Sequence, residues 1–251
     1  MNKENRLIVC IGDVHGVLEC LDELLAKISY NPEQMRLVMV GDILDRGPDS
    51  VGCVRRVREL NVECVKGNHE DKHVRYHSHA VWEKNTGKKN PMTLKYDHDQ
   101  KDHESFDEED FEWMAKLPTK IFLANSFWAV HAGCESSRDF DHQVDAQLMR
   151  VRYVDAKGKT KTNNENFYQQ PEGTVYWAEA WNGPQSLVYG HIVQPGHKPR
   201  IDNNMFNVCI GIDTGCVFGG ELTAWIYDAQ KKEYSFESVA AKKVYFEKGK
   251  G

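Results

Sequence analysis

The apolar run Leu37-Val38-Met39-Val40 passes directly into Gly41-Asp42-Ile43-Leu44-Asp45-Arg46-Gly47, and this junction constrains the fold more than any other stretch. A short apolar run ending in Gly-Asp reads as a buried strand delivering a carboxylate to the carboxyl edge of a sheet, where open α/β proteins bind ligands. The junction recurs along the chain. Leu7 to Ile11 runs into Gly12-Asp13-Val14-His15-Gly16, and Val62 to Val65 into Gly67-Asn68-His69-Glu70. Phe127 to Val130 runs into His131-Ala132-Gly133, and Leu187 to Tyr189 into Gly190-His191. Every one of these edges carries a side chain able to ligate a metal.

The segments between the edges supply helices. Leu18, Leu21, Leu24, Leu25 and Ile28 share one helical face, and a second helix runs from about Asp49 to Leu60 with Val51, Val54 and Val57 in register. With strands at 5–12, 36–41 and 62–66, the first half reads as βαβαβ with right-handed crossovers. Residues 71–110 are densely charged and read as a helix after Glu70 that becomes an exposed excursion. His73 and His77, one helical turn apart within it, are expected on a solvated helix face. A short helix at Asp107 to Lys116 leads to strands near 120–131, and the polar stretch 156–173 reads as a second excursion, a lid. The runs 187–191, 206–212, 222–227 and 234–239 are spaced like consecutive antiparallel strands. Trp177, Trp181, Tyr189 and Cys216 are expected in the core. The whole is expected to be one mixed α/β domain over 1–251, with two packed sheets and helices outside.

Composition narrows the function classes. A net charge of -6 argues against stable nucleic-acid binding through a basic surface. The seven cysteines are odd in number, lack a C-x-x-C pair and sit mostly in apolar runs, as reduced thiols do. Met1 to Arg6 has no signal-peptide core, and no apolar run reaches the roughly 18 residues of a spanning helix, so the expected location is the cytoplasm, with no membrane association. A monomer is expected.

Collected, the edge residues are Asp13, His15, Asp42, Asn68, His131 and His191, all nitrogen and oxygen donors without thiolate. Six such ligands exceed one tetrahedral site and suit two open divalent sites. Asp13, His15 and Asp42 are assigned to the first, and Asp42, Asn68, His131 and His191 to the second, with Asp42 bridging. Manganese is the expected ion, with iron, zinc, nickel or cobalt as alternatives. Two dications, two aspartates and one hydroxide leave a charge of about +1 to draw in a phosphate. A hydroxide bridging the metals would attack phosphorus directly, without a phosphoenzyme. Arg46 is placed to clamp phosphate oxygens as a bidentate fork, and His69, beside Asn68, to protonate the leaving group with Asp45 orienting it.

Together the five motifs resemble the calcineurin-like metallophosphoesterases, and Asp45-Arg46-Gly47 with Gly67-Asn68-His69-Glu70 points to their phosphoprotein phosphatase branch. The run Ile212 to Thr223 is similar to bacterial and phage members, including diadenosine tetraphosphatases and the phosphatase module of RNA-repair kinase-phosphatases. The resemblance implies a four-layer α/β/β/α sandwich, two metals, and a second phosphate-clamping arginine. Arg152 is the choice for that role over Arg150, because it resembles the arginine closing the family's apolar-Trp-apolar-Arg pattern. The leading substrate class is a phosphomonoester of the phosphoserine or phosphothreonine type. The first alternative is a dinucleoside polyphosphate, and the second a non-catalytic module that binds phospho-ligands. The last is disfavoured because all six ligands, His69 and Arg46 are intact.

Overall fold

In the computed structural model, residues 6–163 and 169–247 are described. The start of the chain (1–5) and the middle of the expected lid (164–168) lie outside the described residues. The elements, in order, are β1 (Leu7–Ile11), α1 (Leu18–Lys27), β2 (Met35–Met39), α2 (Ser50–Glu59) and β3 (Glu63–Cys64). Next come α3 (Asn68–Thr86), α4 (Asp97–Ser105), α5 (Glu108–Lys116), β4 (Lys120–Ala124), β5 (Phe127–Val130) and α6 (Asp145–Leu148). The rest are β6 (Tyr153–Asp155), β7 (Thr160–Lys161), β8 (Thr174–Tyr176), α7 (Trp177–Ala180), β9 (Ser186–Tyr189), β10 (Arg200–Asn203), β11 (Val208–Gly211), β12 (Glu221–Asp228) and β13 (Glu233–Ala240).

Two mixed five-stranded sheets form, ordered β13-β12-β1-β2-β3 and β10-β11-β9-β5-β4, with a small sheet β7-β6-β8 beside them. Alternation along the strands explains why their sequences are continuously apolar. Ile8, Cys10, Val38 and Val40 face inward, against Ile121, Phe127, Ala129, Val188 and Ile210 of the second sheet. Val9, Ile11, Leu37 and Met39 face the other way, under Leu21 and Leu24 of α1 and Cys53 and Val57 of α2. Leu187, Tyr189 and Cys209 cover the outer face of the second sheet together with Trp177 and Trp181. Strands buried on both faces lose the polar-apolar alternation of half-exposed ones. Each such aliphatic side chain contributes roughly 1.5–3 kcal/mol on burial. Among the described residues, no helix is long and apolar enough to cross a membrane.

Three expectations need correction. The strands of the last third are not consecutively antiparallel: β11 pairs parallel with β9, β9 parallel with β5, and β10 intervenes as an antiparallel edge. Parallel pairing sends the chain ends after β5, β9 and β11 to one edge. The 71–110 excursion is largely structured, since α3 begins at Asn68, one turn earlier than expected, and α4 follows inside it. The early start has a local cause: Glu70 accepts the Gly67 N–H at 2.8 Å and so caps α3 from its first turn. His73, finally, is fully buried rather than solvated, whereas His77 is half-buried and stacks on Phe111 with ring centroids 4.0 Å apart.

Candidate metal centre

The chain leaves β1 at Asp13, β2 at Asp42, β3 at Asn68, β5 at His131 and β9 at His191. β1, β2 and β3 pair in parallel in one sheet and β5 and β9 in the other, so each set ends at one edge of its sheet, and the side chains of the two sets meet. The turns there are tight. His15, Asp42, Asp45, Arg46 and His191 all hold left-handed backbone conformations, with φ of 47°, 51°, 72°, 71° and 69°. Each such conformation costs on the order of 1–3 kcal/mol outside glycine and persists only where the surroundings enforce it. Gly190 permits the closest approach, because a Cβ there would lie 1.9 Å from Asp13 Oδ1.

Glu70 provides much of that enforcement. Fully buried, it accepts the N–H groups of Asp42 (3.0 Å), Ile43 (2.8 Å) and Gly67 (2.8 Å), tying the β2 edge to the β3 edge. Asp42 Oδ1 accepts the His69 N–H at 3.0 Å, and Asp13 Oδ2 the His191 N–H at 2.9 Å. His15 Nδ1 donates to the Leu44 carbonyl (3.0 Å) and His131 Nδ1 to the Val40 carbonyl (2.8 Å). These bonds fix the tautomer, so both Nε2 lone pairs face the centre.

The donors converge on one oxygen. Asp42 Oδ2 lies 3.3 Å from His131 Nε2, 3.6 Å from His15 Nε2 and 3.8 Å from His69 Nε2. Asn68 Oδ1 stands 3.1 Å from His131 Nε2. Two groups have ligand atoms within 4.8 Å of one another: His15 with Asp42 and His69, and Asp42 with His131 and His191. The first group holds His69 where the sequence assigns Asp13. Asp13 Oδ1 and His191 Nε2 are buried without a hydrogen-bond partner. Buried polar atoms are rarely left so, and lone pairs facing a carboxylate repel it unless a cation lies between. The residues therefore fit divalent cations.

Electrostatics agree. Burial, reinforced by Asp213 and Asp42, pushes the Asp13 carboxyl well above its ordinary range. Burial also raises Asp213 to about 6 and Glu70 to about 7. Burial would raise Asp42 too, but the imidazoles of His131 and His69 hold it well below the usual carboxylate range. His15 and His191 are driven down by burial, then by Arg46 and Arg152 respectively. Asp13, Asp213 and Glu70, crowded until they resist ionising, and His15 and His191, kept neutral beside them, are what a dication would relieve. Burial would lower His131, but the Asp42 carboxylate raises it.

The remaining assigned residues ring this centre. Arg46 Nη1 lies 2.6 Å from His15 Nε2, and its guanidinium sits 5.5 Å from the Phe218 ring. His69 Nδ1 donates to Asp45 Oδ2 at 2.5 Å, which leaves its Nε2 toward the centre. Burial lowers the His69 imidazole, against the opposing pull of Asp42 and Asp45. Arg152 acts on His191 by charge, whereas Arg150 pairs with Asp71 on α3. Asp213 and Glu70 have places here that the sequence reading did not assign. The rule that selects the candidate ligands also covers Asp213, which follows the strand β11 by two residues. A cleft of about 730 Å³ lined by Arg138, His142, Trp181 and Gln185 contains none of these groups.

Comparison with known proteins gives the geometry a lineage. The calcineurin-like phosphoesterase family model matches residues 6–195. An asymmetrical bis(5'-nucleosyl)-tetraphosphatase of Oceanobacillus iheyensis is 32% identical, covering 94% of this chain and 92% of its own. One of Bacillus subtilis is 29% identical over 86% of this chain and 88% of its own. Among solved structures, a candidate diadenosine tetraphosphatase superposes with a TM-score of 0.73 at 24% identity, covering 96% of both chains. A serine/threonine phosphatase of Saccharomyces cerevisiae gives 0.55 at 13%, covering 99% of this chain and 82% of that one. The last two show the fold alone. With a family model spanning most of the chain and a full-length relative above 30% identity, the chain belongs to the calcineurin-like metallophosphoesterases, phosphoester-hydrolysing enzymes that depend on two metal ions.

Proposed function

We propose that this enzyme hydrolyses dinucleoside polyphosphates asymmetrically, with residues 1–251 acting as one catalytic unit. The observation that carries the chemistry is the convergence of three imidazole nitrogens on Asp42 Oδ2, within 3.3–3.8 Å. The substrate class rests on relatives similar over nearly the whole chain, whose names specify asymmetrical tetraphosphate cleavage. Asp13, His15, Asp42, Asn68, His131 and His191 are assigned as metal ligands, and manganese as the ion. When bound, two such cations supply positive charge for the phosphate and acidify a water for attack on phosphorus.

The protein groups do the rest. Arg46, beside His15, and Arg152, whose charge acts on His191, clamp the non-bridging oxygens of the attacked phosphate, whose charge grows in the transition state. His69 is the general acid. Asp45 receives its Nδ1–H and favours the imidazolium, so Nε2–H is delivered to the oxygen that departs as the P–O bond breaks. Asymmetric cleavage of a tetraphosphate yields a nucleoside triphosphate and a monophosphate.

The test is turnover of diadenosine tetraphosphate and a phosphopeptide, side by side, by manganese-loaded protein, with products resolved by chromatography. ATP and AMP as products, formed faster than phosphate from the phosphopeptide, are expected. ADP as the sole nucleotide product would refute the asymmetry of cleavage, and preference for the phosphopeptide would refute the substrate assignment and return the enzyme to phosphomonoesters.

A further inference from the structure

The carboxylate behind His69 is held by more than His69. Asp45 is fully buried, and Oδ2 also accepts Lys72 Nζ at 2.7 Å while Oδ1 accepts His73 Nε2 at 2.8 Å. Both partners stand on the first turns of α3, and both are braced by α4. Lys72 Nζ reaches Asp99 Oδ2 at 2.7 Å, and His73 Nδ1 meets His103 Nδ1 at 3.1 Å. A second strut comes through the backbone: Asp45 N–H donates to Ser50 Oγ at 2.8 Å, and Ser50 Oγ donates to Asp102 Oδ2 at 2.6 Å. His98 Nε2 lies 3.1 Å from Asp99 Oδ1. Residues 98, 99, 102 and 103 are spaced i, i+1, i+4 and i+5, so one stripe of α4 makes every contact.

This arrangement exceeds what holding a loop requires. A carboxylate that receives His69 alone could rotate and offer either oxygen. With Oδ1 occupied by His73 and Oδ2 by Lys72, the plane of the group is fixed and one lone pair points at His69 Nδ1. Burying the lysine and the carboxylates without close pairing would be strongly unfavourable, so the contacts are mutually enforcing. The helix also carries almost no apolar surface, its one buried residue being Asp99. Its seat on the protein is therefore this polar network, together with the His103 ring against Tyr76 and Phe111, rather than an aliphatic stripe of its own.

We propose that Lys72 and His73, braced by Asp99 and His103 of α4, are positioning residues that hold Asp45 in the orientation His69 needs to protonate a leaving group. The proposal rests on the reading of His69 as general acid. A charged excursion thus becomes part of the catalytic apparatus without touching substrate.

The experiment compares p-nitrophenyl phosphate, whose leaving group needs little protonation, with phenyl phosphate, whose leaving group needs much. Turnover is measured for the manganese-loaded wild type, His73→Leu, His73→Gln, Lys72→Met and His69→Asn, with metal content assayed in each. In His73→Leu and Lys72→Met, phenyl phosphate turnover should fall about tenfold further than p-nitrophenyl phosphate turnover, with KM and metal content unchanged. His73→Gln keeps a donor for Asp45 Oδ1 and should recover most of the loss. Equal losses on both substrates, loss of metal, or wild-type behaviour in both variants would overturn the proposal. Should His73→Leu fail to fold, Lys72→Met decides, its side chain being 24% exposed and Asp45 keeping its bonds to His69 and His73. If His69→Asn shows no steeper dependence on the leaving group, the general-acid reading itself fails, a result distinct from failure in the α3 variants alone.

Discussion

Glu70→Gln tests how the metal edge is held together. In the wild type, one carboxylate accepts three backbone N–H groups from two strand ends, at 2.8–3.0 Å, inside a fully buried site. Gln has the same shape but one accepting oxygen. Whichever way its amide turns, at least one N–H of Asp42, Ile43 or Gly67 then faces another N–H. A buried donor left unsatisfied costs about 1–3 kcal/mol. At about 2 kcal/mol, and with roughly 2–4 °C per kcal/mol for a chain of this size, the melting temperature should fall by about 4–8 °C. The assay is thermal unfolding of manganese-loaded protein at pH 8, above the value of about 7 to which burial raises Glu70. Because Asp42 and Asn68 are displaced together, turnover should fall at least about tenfold, a loss of 1.4 kcal/mol or more in transition-state stabilisation. A melting temperature within 1 °C of wild type, with unchanged turnover, would refute the view that Glu70 locks the two edges.

Arg46→Ala should lower kcat/KM by about 10–100-fold through loss of charge-assisted bonds worth about 1.5–3 kcal/mol, and Arg46→Lys should recover only part, since ammonium lacks the bidentate fork. Steady-state kinetics on diadenosine tetraphosphate check this, and equal rates for Lys and wild type would contradict it. In the metal-free protein two opposite contributions meet between about pH 4 and 7: the lowered imidazoles of His15, His69 and His191 add stability as pH rises, and the raised carboxyls remove it. Asp13, Asp213 and Glu70 have folded-state values raised above their unfolded ones, so the stability they contribute is present at low pH and disappears as pH passes through about 6 and 7. Asp42 and Asp45, held low, titrate below this window. Manganese cancels the repulsion, so its gain in melting temperature should be larger at pH 8 than at pH 5. An equal or smaller gain at pH 8 would refute the assignment of these carboxyls to the centre.

Much of this centre was legible because strand termini announce themselves locally: an apolar run stops and a donor follows. That rule gathers Asp13, Asp42, Asn68, His131 and His191 without any knowledge of pairing. Asp213 obeys it as well, two residues past β11, at the start of a Gly-rich turn. His73 was misread for a different reason. Helical spacing places it on a polar face, but what covers that face is Asp45, 28 residues upstream, together with His103, 30 residues downstream. Contacts at such separations leave no trace in a local window. The helix α4 was illegible on the same grounds, since it has no apolar periodicity and is seated by ion pairs and hydrogen bonds. Strand direction in the last third failed because β10 sits in a segment without a clear apolar run, so the crossover between β9 and β11 looked like a plain hairpin.

The central claim is that Asp42 joins two metal sites in one hydrolytic centre. It is tested most directly by titrating metal-stripped protein with manganese, counting bound ions per chain and following turnover of diadenosine tetraphosphate at each step. Two ions per chain, activity that rises with the second, and an Asp42→Asn variant that binds fewer ions and is silent are the predicted results. Full activity with one ion bound, or turnover retained in Asp42→Asn, would contradict the account.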